Sequence, residues 1–374
     1  MDVISFATGN TNPETFPIDA FAEAAKAAVA GLNVALNTYP GSRGHERLRR
    51  LMAQREYDRE GVEIDPEHIL VTNGSMQAVT LSIEATLEGR DRLVVLEEYC
   101  YVGSIRYFES MGIEMAGVAL DEEGMRMDAL AETLDRLAGE GCRPACIYTL
   151  ATYQNPTGAV MSKSRRLELV ALARRHDIPV VEDNCYGDVH YDGDKPPALY
   201  ALDPHPRQIY ACSLSKIFAP GVRLGYVVAR PPMLEKVIAR RNDAGPNTLA
   251  SAITHEYLKD RLWNHIETAN AALRIKRDTL VTGLRRELGN ECVVSNPAGG
   301  LFVWVRLPDD VDPARLKEIA VANGVDFAHG SDFHVRRDAG PFIRLAFGYP
   351  TVEEIKEGTA RLGSSLRTVR GSAS

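Results

Sequence analysis

The sequence predicts an α/β fold, a large domain on a mainly parallel sheet followed by a smaller α/β domain. Three observations carry that expectation. Short apolar runs at 68–72, 93–97, 146–150, 179–183, 209–213 and 225–229 recur through the first two thirds of the chain. They are rich in β-branched residues and lack polar alternation, as strands covered on both faces do. Helix-like segments at 75–88, 102–111, 128–138, 163–176 and 232–242 separate most of them. Beyond them strand and helix mix again, which sets the expected boundaries: 1–35 as an N-terminal arm and part of the small domain, 36–280 as the large domain, 281–374 as the small one.

Composition limits the function classes. The 374 residues are 45% hydrophobic and 25% charged, the mix of an ordinary soluble globular protein, and carry a net charge of −8. That sign argues against a nucleic-acid or anionic-membrane partner. The pairs Arg49-Arg50, Arg165-Arg166 and Arg174-Arg175 fall in mixed-charge helical contexts and read as solvated faces. No stretch approaches the ~18 uninterrupted apolar residues of a membrane span. The six cysteines show no Cys-x-x-Cys and no zinc-like spacing with histidine. A reduced, cytoplasmic protein without a metal is the expectation, and Met1 to Ser5 show no export signal.

Taken in order, residues 4–17 form a turn-rich arm broken by Gly9 and Pro13, and an alanine-rich helix follows at 18–31. Tyr39-Pro40-Gly41 is a turn feeding a helix that runs to about residue 60. The first strand ends in Thr72-Asn73-Gly74-Ser75-Met76-Gln77. Here a glycine allows close approach, and the free N–H groups of a helix start can bind phosphate. A plain helix cap is the bland alternative. The second strand runs into Glu97-Glu98-Tyr99-Cys100-Tyr101, and the third into the turn Gln154-Asn155-Pro156-Thr157-Gly158. The fourth ends in Glu182-Asp183-Asn184-Cys185-Tyr186; an acid there is ordinarily a turn former or cap.

Residues 213–226 are the most informative: Ser213, Ser215 and Lys216, then a Pro-Gly turn, Arg223, Gly225 and Tyr226. Two hydroxyls and a planar guanidinium can hold a phosphate. A lysine beside them can condense with an aldehyde carried by the same ligand. Later segments are expected as a long helix at 250–284, a strand at 299–307, a helix at 313–323, a strand at 341–347 and a helix at 352–367. The tail 370–374 is expected to be disordered. Arg344 lies inside an apolar strand, where an unpaired guanidinium is costly. It therefore meets a carboxylate, either of the protein or of a substrate.

From Gly9 to Arg344 these motifs resemble, in order, the fold-type I pyridoxal 5′-phosphate (PLP) enzymes of the aminotransferase class I/II family. Gln154 before Asn155 resembles the branch of aminoadipate and kynurenine aminotransferases and of MocR-type effector domains. The resemblance implies PLP on Lys216 and a phosphate held by Gly74, Ser75, Met76, Gln77, Ser213, Ser215 and Arg223, completed by Tyr39 from the partner of a homodimer. It implies Tyr101 stacked on the pyridine ring, Asp183 on its nitrogen, Asn155 and Tyr186 on its phenolic oxygen. Gly9 would lie over the substrate, and Arg344 would take its α-carboxylate. The chain departs from the family in having Tyr99 where proline is usual and His329-Gly330 where many members have Pro-Gly.

The activity implied is amino transfer from an α-amino acid to a 2-oxo acid, with Lys216, Asp183 and Tyr186 catalytic. An enzyme of the same fold eliminating or replacing at the β- or γ-carbon, or forming a carbon–carbon bond, would share these contacts. A regulator's sensory domain would need a DNA-binding module ahead of it, and fewer than about 40 residues precede Tyr39.

Overall fold

The computed structural model describes residues 3–337 and 340–371. Its centre is a seven-stranded sheet: β1 (Ile69–Thr72), β2 (Leu93–Glu97), β3 (Glu114–Val118), β4 (Cys146–Thr149), β5 (Val180–Asn184), β6 (Gln208–Ser213) and β7 (Gly225–Val228). The strand order is β1-β7-β6-β5-β4-β2-β3, with β7 antiparallel to both neighbours and all other pairs parallel. Alternation along each strand sorts the side chains into two layers. Leu70, Leu96, Tyr148, Val181, Ile209 and Val227 join one core with helices α3 (Ser75–Thr86) and α4 (Val102–Ser110). On the other face Val71, Tyr210, Cys212 and Tyr226 share a core with α1 (Ile18–Leu32) and α2 (Glu46–Glu60), while Val95, Ile147 and Val180 meet α5 (Met127–Gly139) and α6 (Lys163–Arg175).

The strand β3 was not expected. It is an edge strand, Glu-Met-Ala-Gly-Val, only half covered, so it lacks the apolar run of its neighbours. The stretch expected as one helix at 250–284 is two, Thr248–Leu258 and a 27-residue helix, Leu262–Leu288, separated at Lys259–Arg261. Two of the three arginine pairs also divide, while Arg174 and Arg175 are both exposed as expected. Arg49 is buried against the Pro66 carbonyl at 2.6 Å and Glu67 at 2.8 Å. Arg166 is fully buried and donates to the carbonyls of Met161 and Ala151, each at 2.8 Å. Neighbours on a helix point about 100° apart, so one member of a pair can enter the core while the other stays wet.

A second sheet of four strands contains Phe302–Arg306 beside Phe342–Ala346, antiparallel, with Trp304 opposite Arg344. The N-terminal arm reaches it: Ile4–Ser5 pairs in parallel with Val325–Asp326, and Ala346 donates to the Phe6 carbonyl at 2.8 Å. The last helix, Val352–Gly371, includes Arg370 and Gly371, which correct the expectation of a disordered tail there; residues 372–374 lie outside the described residues. All six cysteines are free. Among the described residues no helix is long and apolar enough to cross a membrane.

Candidate active site

The carboxyl ends of β1, β4, β5 and β6 open into a cavity of about 370 Å³, where open parallel sheets place their ligands. Of the residues expected from sequence, Gly9, Ser75, Met76, Tyr101, Asn155, Asp183, Tyr186, Ser213, Ser215, Lys216, Arg223 and Arg344 line it.

Asp183, at the end of β5, is buried and accepts from the Tyr148 hydroxyl at 2.7 Å through Oδ2 and from the Cys185 thiol at 3.0 Å through Oδ1. Ser104 continues the chain, 2.8 Å from the Tyr148 hydroxyl. Burial raises the Asp183 pKa above the usual carboxylate value, and the two donors only partly oppose it. A cationic ring nitrogen beside it would be strongly favoured.

Lys216 follows β6, and its Nζ donates to the Gly9 carbonyl at 2.7 Å. Burial lowers its pKa, and Arg344 and Arg223 add to that effect. More of its amine is therefore free to act as a nucleophile near neutral pH. Arg344 is buried, and its guanidinium is sandwiched between Phe302 and Phe333, 4.2 Å and 4.5 Å from the ring centres. Nη1 donates to Asn155 Oδ1 at 2.9 Å and Nη2 to the Ala7 carbonyl at 2.5 Å, while Nε has no partner. No carboxylate of the described residues lies within 4.0 Å of it. Burial brings its pKa down to about 10. Of the two carboxylates the sequence allowed, the protein's own is not found among the described residues.

Gly74 begins α3 at φ +88°, where a Cβ would lie 2.4 Å from Arg223 Nη2. Gly225 is equally tight, since a Cβ there would come within 2.7 Å of the Ser75 nitrogen. The two glycines let Arg223, the start of α3 and β7 converge. Gly74 lies behind the lining rather than in it. The Gln77 side chain turns away: its Oε1 accepts from Asn73 N–H at 2.8 Å and its Nε2 donates to Asp243 at 2.7 Å. Only its backbone N–H remains at the helix start. Tyr39 is 86% exposed and outside this chain's cavity.

Tyr99, where proline is usual, makes an aromatic contact. Its ring meets Trp304, His334 and Phe342 edge-on, and its carbonyl accepts from Gln154 Nε2 at 2.6 Å. His329 caps the short helix Gly330–Phe333 by accepting from Ser331 N–H at 3.2 Å. Sequence reasoning did not find Tyr148, Cys185, Phe302 or Phe333. Tyr148 and Phe302 lie within apolar runs and read as core, and only the fold shows that they reach the site.

Comparison with known proteins places these features. The model of the family "Aminotransferase class I and II" matches residues 1–362. The aromatic-amino-acid aminotransferase 1 of Thermococcus litoralis is 34% identical over 369 residues, 98% of this chain and 88% of that protein. The crystal structure of an α-aminoadipate aminotransferase from Thermus thermophilus, in complex with N-(5′-phosphopyridoxyl)-L-leucine, superposes with a TM-score of 0.91. It is 31% identical, and the match covers 99% of this chain and 93% of that one. An HTH-type transcriptional regulator of Bacillus subtilis is 27% identical over 98% of this chain and 74% of its own length. The chain belongs to the class I and II aminotransferases and is a PLP-dependent enzyme that moves an amino group between amino and oxo acids.

Proposed function

We propose that the cavity holds PLP through Lys216 and receives the α-amino acid and the 2-oxo acid in turn, with Arg344 as the carboxylate anchor. One observation carries this reading. An amine, a carboxylate and a guanidinium, half-buried Lys216 and buried Asp183 and Arg344, surround one cavity without an ion pair among them. Unpaired buried charges are costly, and a ligand bearing a pyridinium and a carboxylate would relieve both Asp183 and Arg344.

The residues fit the cofactor. The Ser75, Met76 and Gln77 N–H groups at the start of α3, the Ser213 and Ser215 hydroxyls and the Arg223 fork form a phosphate cradle, for which Gly74 leaves room. PLP supplies an electron-withdrawing ring that stabilises negative charge at the substrate's α-carbon. Asp183 keeps a proton on the ring nitrogen. The Lys216 amine, once freed, moves the proton from the α-carbon. Asn155 and Tyr186 would hold the phenolic oxygen, and Tyr101 would cover the ring. Arg344 orients the carboxylate, so that the α-hydrogen meets the Lys216 amine.

Exposed Val34, Leu36 and Tyr39 support a homodimer in which Tyr39 reaches the partner's phosphate. The expected division into 1–35, 36–280 and 281–374 would place the cavity at the junction of the two domains. Free cysteines fit a reducing cytoplasm. The test is borohydride reduction of the yellow enzyme followed by peptide mapping, then an amino-acid panel scored by loss of the visible band. The panel starts with aromatic amino acids and 2-aminoadipate, after the names of the similar proteins. Label on Lys216 is expected; label on another lysine overturns the reading.

A further inference from the structure

The opposite pole of the main sheet carries a second cavity, about 400 Å³. Its walls come from the loops that precede strands, the far end from the cofactor site. Arg90 stands before β2, Arg143 before β4 and Arg207 before β6; Lys236 lies on the helix Met233–Ala239 that follows β7. These four cations face a single lining carboxylate, Glu88, on a protein whose net charge is −8. Such a concentration against the overall sign calls for a physical reason.

The protein's own acids cover only part of it. Asp177 pairs with Arg90 at 3.7 Å and with Arg207 at 2.5 Å, and Glu88 pairs with Lys236 at 3.5 Å. For Arg143, no carboxylate of the described residues lies within 4.0 Å of the guanidinium; Asp91 meets its backbone instead, accepting from the N–H at 2.7 Å and donating to the carbonyl at 3.0 Å. Arg90 is held in place, its side chain 14% exposed and donating to the carbonyls of Asp177 at 2.6 Å and Pro144 at 3.4 Å. Burial lowers its pKa, and the nearby Arg143 and Arg207 push in the same direction. Its guanidinium is therefore fixed beforehand, which limits the ordering cost of binding. Between the cations lie apolar walls, among them Ala85 and Met233.

We infer that this cavity is a binding site for a small multivalent oxyanion on a carbon skeleton. A polycarboxylate and a phosphate monoester share that chemistry, since guanidinium forks match both groups. The volume suits such a ligand, at the small end of the usual range. The site is separate from the aminotransfer cavity, and its occupancy would tie together loops that start three strands of the main sheet.

The test uses PLP-loaded enzyme, so that the phosphate cradle is already filled. Citrate and glycerol 3-phosphate are titrated by calorimetry and by thermal unfolding, with sodium chloride at matched ionic strength as control. A saturable signal with a rise in Tm beyond the chloride control is expected, from citrate if the site reads carboxylates or from glycerol 3-phosphate if it reads a phosphate ester. Arg143→Ala with Lys236→Ala removes two exposed cations and leaves the visible band intact. Each charged hydrogen bond is large enough to weaken binding about tenfold or more, so the double variant should bind at least that much more weakly. No saturable signal from either probe overturns the inference. So does a Tm rise that chloride reproduces, or binding that the double variant retains, which would mean an adventitious ion only.

Discussion

The floor and the roof of the aminotransfer cavity satisfy their polar groups in different ways. On the floor, Asp183 is held by side chains rooted in the sheet and in α4, through Tyr148, Ser104 and Cys185. On the roof, Lys216 and Arg344 donate to backbone carbonyls of the arm, Gly9 and Ala7. A carbonyl is a weaker partner for a cation than a carboxylate is, so a substrate carboxylate can displace Ala7 from Arg344. On the proposed reading the floor would keep its bonds when a ligand arrives, and the roof would exchange them. Geometry that sets chemistry sits on rigid strands, while geometry that admits ligands sits on a segment able to yield.

The largest expected effect comes from breaking the floor. Asp183→Asn keeps shape and the Tyr148 bond but removes the charge, and the protein should fold. Electrostatic groups of this kind contribute about 100- to 1000-fold to rate. Single-turnover α-proton abstraction should fall by that order, and an unchanged rate would reduce Asp183 to a structural acceptor. On the roof, Arg344→Lys should lower kcat/KM for amino acids by roughly 100-fold, from two charged hydrogen bonds of about 1.5–3 kcal/mol each. The visible band should remain, and a simple amine lacking the carboxylate should be affected far less. Equal loss on both substrates would make Arg344 structural.

The same contrast decides what was legible in the sequence. The floor's strands announced themselves because they are buried on both faces, and Arg344 because a cation in an apolar strand demands a partner. The edge strand β3 carried no such signal, being half covered. Gln77 was assigned to the cradle from its place at a helix start, but a side chain at that position can point either way, and here Asp243 holds it. Tyr148 and Phe302 could not be separated from ordinary core residues, since burial in a strand and burial against a ligand use the same side chains. Arg166 misled through its neighbour, because a pair in sequence is not a pair in space.

A partial recovery of activity, a middle-sized effect, tests whether the site crosses subunits. Lys216→Ala protein and Tyr39→Phe protein should each lose activity, the first entirely. If Tyr39 serves the partner, mixing the two should regain activity, because one site in each heterodimer then carries both native residues. A fully active monomer at assay concentration would rule this out.

The smallest expected effect probes how the roof is held. The arm is anchored at Lys276, a buried lysine that donates to Asn12 Oδ1 at 2.8 Å and to the Gly348 carbonyl at 3.3 Å, and pairs with Glu14 at 2.7 Å. Glu14 is about half exposed. An ion pair open to solvent contributes roughly 0–1 kcal/mol, and Asn12 and Gly348 keep Lys276 satisfied without it. Glu14→Gln should therefore leave the fold intact and loosen only the arm's hold over the cavity. Because Ala7 touches Arg344, the proposed carboxylate anchor, the effect is expected on capture. KM should change by no more than about fivefold, the equivalent of 1 kcal/mol, with kcat unaltered. A fall in kcat at constant KM would mean that the arm takes part in the chemistry, and the division between a fixed floor and a yielding roof would fail.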